Sequence, residues 1–193
     1  MTIRNWVIMF WSTLLIGGAA AVVVGLLLAL ADGELFQWNV LEFGYNVLSM
    51  TLAGFMFSIL SQMFFFAYMT LNYIARDMFR RPSTWKLVQL FFIITIPFEI
   101  YMFLWEGSTI KFVLQIGIML ILSIIVAYWK VRLTNPNAFI PSLFFMFVFT
   151  LVETAIAIQV SNDEATLLMA SALLACNAWQ LLRLHKVIKK IES

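Results

Sequence analysis

The sequence predicts an all-α membrane protein: a polytopic bundle of six transmembrane helices with its N-terminus and C-terminus both cytoplasmic. Three observations carry this expectation. The chain of 193 residues is 63% hydrophobic and only 11% charged, whereas soluble domains run at roughly 45–50% apolar and about 25% charged residues. Its apolar residues gather into stretches of about the 20 residues that a bilayer crossing needs, with short connections between them. All of the twelve Lys and Arg except Lys111 fall at the N-terminus, in the second and fourth connections, or at the C-terminus, and basic segments are retained on the cytoplasmic side. A single six-helix unit over residues 1–193 uses the whole length and leaves no room for a separate soluble domain.

The first segment, about residues 6–30, follows Arg4 and ends in Ala29-Leu30-Ala31, which imitates a signal-peptidase site. Signal h-regions are about 7–15 residues long, so this longer run is expected to stay as a helix. Within it Gly17, Ala21 and Gly25 recur every fourth residue, a groove along which another helix backbone can approach closely. Asp32, Glu34 and Glu42 make the first connection acidic, and Gly33 breaks the helix, so this loop belongs outside. The second helix, about residues 43–74, exceeds the length of one crossing and predicts tilt or protrusion.

Arg76, Arg80, Arg81 and Lys86 then form the densest basic cluster between two crossings. Pro82-Ser83-Thr84 halts one helix and offers caps to the third, about residues 85–105. A turn at Glu106-Gly107-Ser108 leads to the fourth, about 112–129, after which Lys130 and Arg132 mark the cytoplasmic side. Asn135-Pro136-Asn137 precedes the fifth, about 139–160, with Pro141 in its first turn. Ser161 and Glu164 have capping-box spacing ahead of the sixth, about 165–184. Beyond it Lys186, Lys189 and Lys190 alternate with Val187, Ile188 and Ile191, an amphipathic extension suited to the inner membrane surface. Trp6, Trp85, Trp129 and Trp179 fall toward the inner boundary and Trp38 and Trp105 toward the outer one, as amphipathic rings do at headgroup level.

Glu99 and Glu153 are the sharpest chemical feature, because ionisable side chains inside a membrane are costly and usually face the bundle interior. No Lys or Arg falls at their depth. Each carboxyl is therefore expected to hydrogen-bond Gln62, Gln115, Thr95 or the other glutamate, as a clamp between helices or as a ligand contact. Ser58, Ser61 and Gln62 on the second helix, and Ser171, Ala175 and Ala178 on the sixth, have the spacing of helix-packing faces. The basic residues Arg76, Arg80, Arg81 and Lys86 are expected to contact anionic lipid or a partner at the cytoplasmic face.

Other chemistries find no motif. The single histidine, His185, and the single cysteine, Cys176, cannot build a zinc site. There is no Gly-rich nucleotide loop, no His-Glu-x-x-His and no Gly-x-Ser-x-Gly. An enzyme, a bound cofactor, a metal and a nucleic-acid partner are all unexpected.

Three stretches carry a resemblance: Arg4-Asn5-Trp6-Val7 with Thr13-Leu14-Leu15-Ile16-Gly17-Gly18, Phe57-Ser58-Ile59-Leu60-Ser61-Gln62-Met63 running through Phe65-Phe66-Ala67-Tyr68, and Asn137-Ala138-Phe139-Ile140-Pro141 with Leu143-Phe144-Phe145-Met146. They resemble the KinB-signalling pathway activation protein (KbaA) family of endospore-forming Gram-positive bacteria. The resemblance implies an integral cell-membrane accessory needed by a membrane-bound sensor histidine kinase, KinB, that feeds the sporulation phosphorelay. It brings no catalytic residues. The alternative from a different class is a small membrane transporter or channel using Glu99 and Glu153.

Overall fold

A computed structural model describes residues 3–79, 81–105, 107–158 and 163–189 of the chain. Arg80, Glu106, Ser161 and Lys190, each given a role above, lie outside the described residues. The helices are α1 (Ile3–Ala31), α2 (Val40–Met78), α3 (Pro82–Leu104), α4 (Thr109–Leu133), α5 (Phe139–Phe144), α6 (Thr150–Ile158) and α7 (Asp163–Lys189). A π-helical turn, Phe145–Phe149, joins α5 to α6 without a break, so these three pieces form one rod. Six helical segments are long and apolar enough to cross a membrane, and no strand occurs among the described residues.

Several boundaries differ from expectation for local reasons. The second helix starts at Val40 because Asn39 caps it: its side-chain oxygen accepts from the backbone N–H groups of Leu41 at 3.1 Å and Glu42 at 2.9 Å. Glu42, expected in the acidic connection, instead completes a capping box by accepting from the Asn39 N–H at 3.0 Å. The fourth helix runs on through Lys130 and Arg132 to Leu133 rather than stopping before them. The last helix continues unbroken to Lys189, so the described part of the expected extension belongs to α7.

The small-residue groove of α1 receives α2. Ala21 is fully buried. A Cβ placed on Gly54 of α2 would lie 2.5 Å from the Gly17 carbonyl oxygen, 2.7 Å from the Ala21 Cβ and 2.8 Å from the Gly18 Cα. This is backbone against backbone, the contact that only glycine permits. Helix α7 packs against both α1 and α2.

The rod of α5 and α6 holds the centre. Of its apolar stretch 61% is buried, against 11% for α3, which leaves α3 as the most open segment of the six. Around the π turn an aromatic core forms, with the Tyr68 ring 5.0 Å from Phe145 and 5.4 Å from Phe149. The Tyr68 hydroxyl donates to the Pro141 carbonyl at 3.0 Å and ties α2 to the start of the rod.

Candidate functional site

Two places gather polar side chains, one in the core and one at the end of the bundle where α2 ends and α3 begins. In the core, Asn177 of α7 is the hub. Its amide nitrogen donates to the Thr150 hydroxyl at 2.8 Å and to the Glu153 carboxylate at 2.9 Å. Its amide oxygen accepts from the Ser61 hydroxyl at 2.7 Å, and Ser61 in turn accepts from the Gln180 amide at 2.8 Å. Ser61, Thr150, Glu153, Asn177 and Gln180 are all completely buried. Helices α2, α6 and α7 are thereby joined through side chains alone.

A second chain of contacts lies beside this one. Ser58 donates to the Gly54 carbonyl at 2.8 Å and sits 3.4 Å from the Cys176 sulfur, which itself faces the Thr13 carbonyl of α1 at 3.7 Å. Cys176 is thus a small packing residue with polar neighbours.

Glu153 accepts a hydrogen bond from Asn177, a partner the sequence reading did not name. Gln62 turns away and donates to the Phe10 carbonyl of α1 at 3.4 Å. Thr95 leaves its hydroxyl without a hydrogen bond. Glu99 does not meet Glu153 at all: Glu153 is enclosed on the central rod, while Glu99 is exposed on α3. The reason is geometric. The inward stripe of α3 is Trp85, Gln89, Ile93, Ile96 and Ile100, and Glu99 falls nearly a quarter-turn away from it at 100° per residue. The expectation that both carboxyls face the interior is corrected for Glu99.

The basic cluster also divides. Arg76 and Lys86 line a cavity of about 490 Å³ together with Asn72, Phe79, Trp85, Asn137 and Pro141. Arg81 is exposed at the N-cap of α3 and does not line it. Lys130, read only as a side marker, is buried, and its ammonium donates to the Leu181 carbonyl. Among the described residues no group of three or more His, Cys, Asp or Glu is placed to hold a metal ion.

The residues missed were Thr150, Asn177 and Gln180. Asn177 and Gln180 are three apart within the apolar middle of α7, the spacing of one helix face, and that spacing was the available signal.

Comparison with known proteins adds the family. Residues 17–187 match the KbaA family, described as KinB-signalling pathway activation in sporulation. The KinB-signaling pathway activation protein of Bacillus subtilis (strain 168) is 34% identical over 201 aligned residues, which cover 98% of this chain and 100% of that protein. No solved structure matches the chain. With the match running from the glycine groove of α1 to the end of α7, the chain belongs to the KbaA family of KinB-signalling pathway activation proteins.

Proposed function

We propose that this protein is a multi-pass cell-membrane accessory that raises the output of the sensor histidine kinase KinB in the sporulation pathway, through helix-to-helix contact and without catalysis of its own. Its six segments cross the membrane with both termini cytoplasmic. The single observation that carries the contact mechanism is Glu99 on the exposed flank of α3. A carboxyl facing hydrocarbon is costly, and its own bundle leaves it uncovered. A neighbouring transmembrane helix with a hydrogen-bond donor at that depth relieves the cost. Phe92, Glu99 and Met102 are exposed along one flank of α3, the surface that such a helix would cover. Activation then requires that the contact favour one kinase state over the other.

A transporter working through Glu99 and Glu153 draws no support from this geometry, because one carboxyl is sealed in the core and the other lies on the outer face.

The test uses a photo-crosslinking side chain at Met102 in living cells and Glu99 variants. Met102 should capture a sensor kinase. Glu99→Leu should reduce both capture and sporulation-kinase output by roughly fivefold, about 1 kcal/mol of contact, while leaving the stability of the purified bundle unchanged. Glu99→Gln, which keeps hydrogen-bonding capacity, should behave like the parent. Capture without any kinase, or a Glu99→Leu bundle that melts early, would sink the contact mechanism.

Orientation has its own check. A cysteine at Asp77 should resist an impermeant thiol reagent in intact cells, and one at Asp163 should react. Strong labelling at Asp77 would reverse the topology.

A further inference from the structure

The cavity between the end of α2, the start of α3 and the start of the central rod has a wall of unusual polarity. Two amides line it, and both have their oxygens engaged. The Asn72 side-chain oxygen accepts from the Trp85 indole N–H at 2.9 Å, and the Asn137 side-chain oxygen accepts from the Lys86 ammonium at 3.0 Å. Indole and ammonium are donors only, so these bonds also fix which way each amide points. The amide nitrogens of Asn72 and Asn137 are left to face other partners. To them are added the guanidinium of Arg76 and the two remaining hydrogens of Lys86. Among the described residues no carboxylate lines the cavity.

A wall that offers donors and positive charge, with each amide oxygen already bonded to a donor, favours an anion. The N-terminus of α3 opens beside it with no side-chain cap, adding the positive end of a helix dipole. Phe79 and Trp85 stack with ring centroids 5.9 Å apart and planes 18° apart, which gives the cavity one apolar side. At about 490 Å³ it is within the roughly 300–1,000 Å³ range of small-molecule sites. Indole rings and basic side chains meet at headgroup depth in membranes.

We propose that this cavity binds the phosphate group of an anionic lipid headgroup, with Arg76, Lys86, Asn72 and Asn137 as donors and the Phe79–Trp85 pair against the glycerol. The proposal rests on the membrane reading above and is independent of the kinase contact. A choline headgroup is disfavoured because it brings a fixed cation toward Arg76 and Lys86. Arg81, off the cavity wall, plays no part.

Native mass spectrometry of the detergent-purified full chain tests this with phosphatidylglycerol, phosphatidylcholine and sn-glycerol 3-phosphate as probes. Phosphatidylglycerol should be retained about tenfold better than phosphatidylcholine. Arg76→Gln and Lys86→Gln should each weaken phosphatidylglycerol by about fivefold and leave phosphatidylcholine alone. Arg81→Gln should change neither. Should either Gln variant melt early, Asn137→Ala takes its place, with an expected loss of about threefold. Equal retention of the two lipids, or an Arg81→Gln loss as large as that of Lys86→Gln, overturns the cavity as the site. Displacement of the lipid by equimolar glycerol phosphate keeps the phosphate site but overturns its assignment to lipid; failure to displace supports the assignment. Since no kinase is present, a kinase-contact failure in cells leaves this result standing.

Discussion

Replacing Gly54 with leucine is expected to separate α1 from α2 and to abolish sporulation-kinase output. Even the single carbon of Gly54→Ala would sit within 2.8 Å of the Gly17 carbonyl oxygen, the Gly18 Cα and the Ala21 Cβ. Two of those atoms are main chain and cannot swing aside, so both helices must move apart along their contact. Overpacking typically costs about 1–3 kcal/mol, which is the expectation for alanine, and leucine should exceed it. Gly117 is the control, since a Cβ there meets nothing within 4 Å. Gly117→Ala should be neutral or stabilising by up to about 1 kcal/mol, from helix propensity alone. Unfolding in mixed micelles, followed by circular dichroism and by a distance probe between α1 and α2, reads both effects. If Gly54→Leu proved as stable as Gly117→Ala, the close approach of these helices would be wrong.

The second large effect is expected at Asn177. Leucine there removes the hydrogen bonds to Ser61, Thr150 and Glu153 together and leaves all three in the dry core. Interhelical hydrogen bonds in membranes average about 0.6 kcal/mol and reach about 1.7, so the loss should be about 2–3 kcal/mol. Glu153→Gln keeps an acceptor facing Asn177 and should stay close to the parent in stability and in kinase output. The double variant Glu153→Leu with Asn177→Leu should be less damaged than the sum of its parts, because each change removes a partner the other would strand. Strict additivity would mean that Glu153 and Asn177 are not coupled. A stable but inactive Glu153→Gln would mean that ionisation at this carboxyl matters to signalling.

These two sites differ in how openly the sequence announced them. The glycine groove was legible because small residues at every fourth position of an apolar helix have one common use, and the groove's partner, Gly54, lies three residues ahead of Phe57, where one of the stretches that carry the family resemblance begins. The six segments were legible for the same kind of reason, since apolar length is a direct statement about the bilayer. Asn39 and Glu42 were overlooked although their spacing spells a capping box, because the acidic run from Asp32 drew Glu42 into the loop. The partner of Glu153 was beyond reach. Depth along a helix can be counted from a sequence, but the direction a side chain faces depends on which helices flank it, and periodicity is silent when a helix is apolar all round. Glu99 and Glu153 counted to similar depths and yet face different surroundings. The π turn at Phe145–Phe149 leaves no mark in a run of aromatic residues, although it sits one residue before Thr150.

Helix α2 has 39 residues, which at 1.5 Å each makes a rod about 58 Å long. The hydrocarbon layer is about 30 Å thick, and transmembrane helices tilt by no more than about 40°. Even at that limit a rod crossing a bilayer would span about 45 Å along its normal, so its ends would stand clear of the acyl chains. Arg76 and Asn72 ride on one of those ends. In the membrane-spanning arrangement proposed above, this length alone would carry the cavity beside Arg76 and Asn72 out to the headgroups, whatever the tilt of the helix.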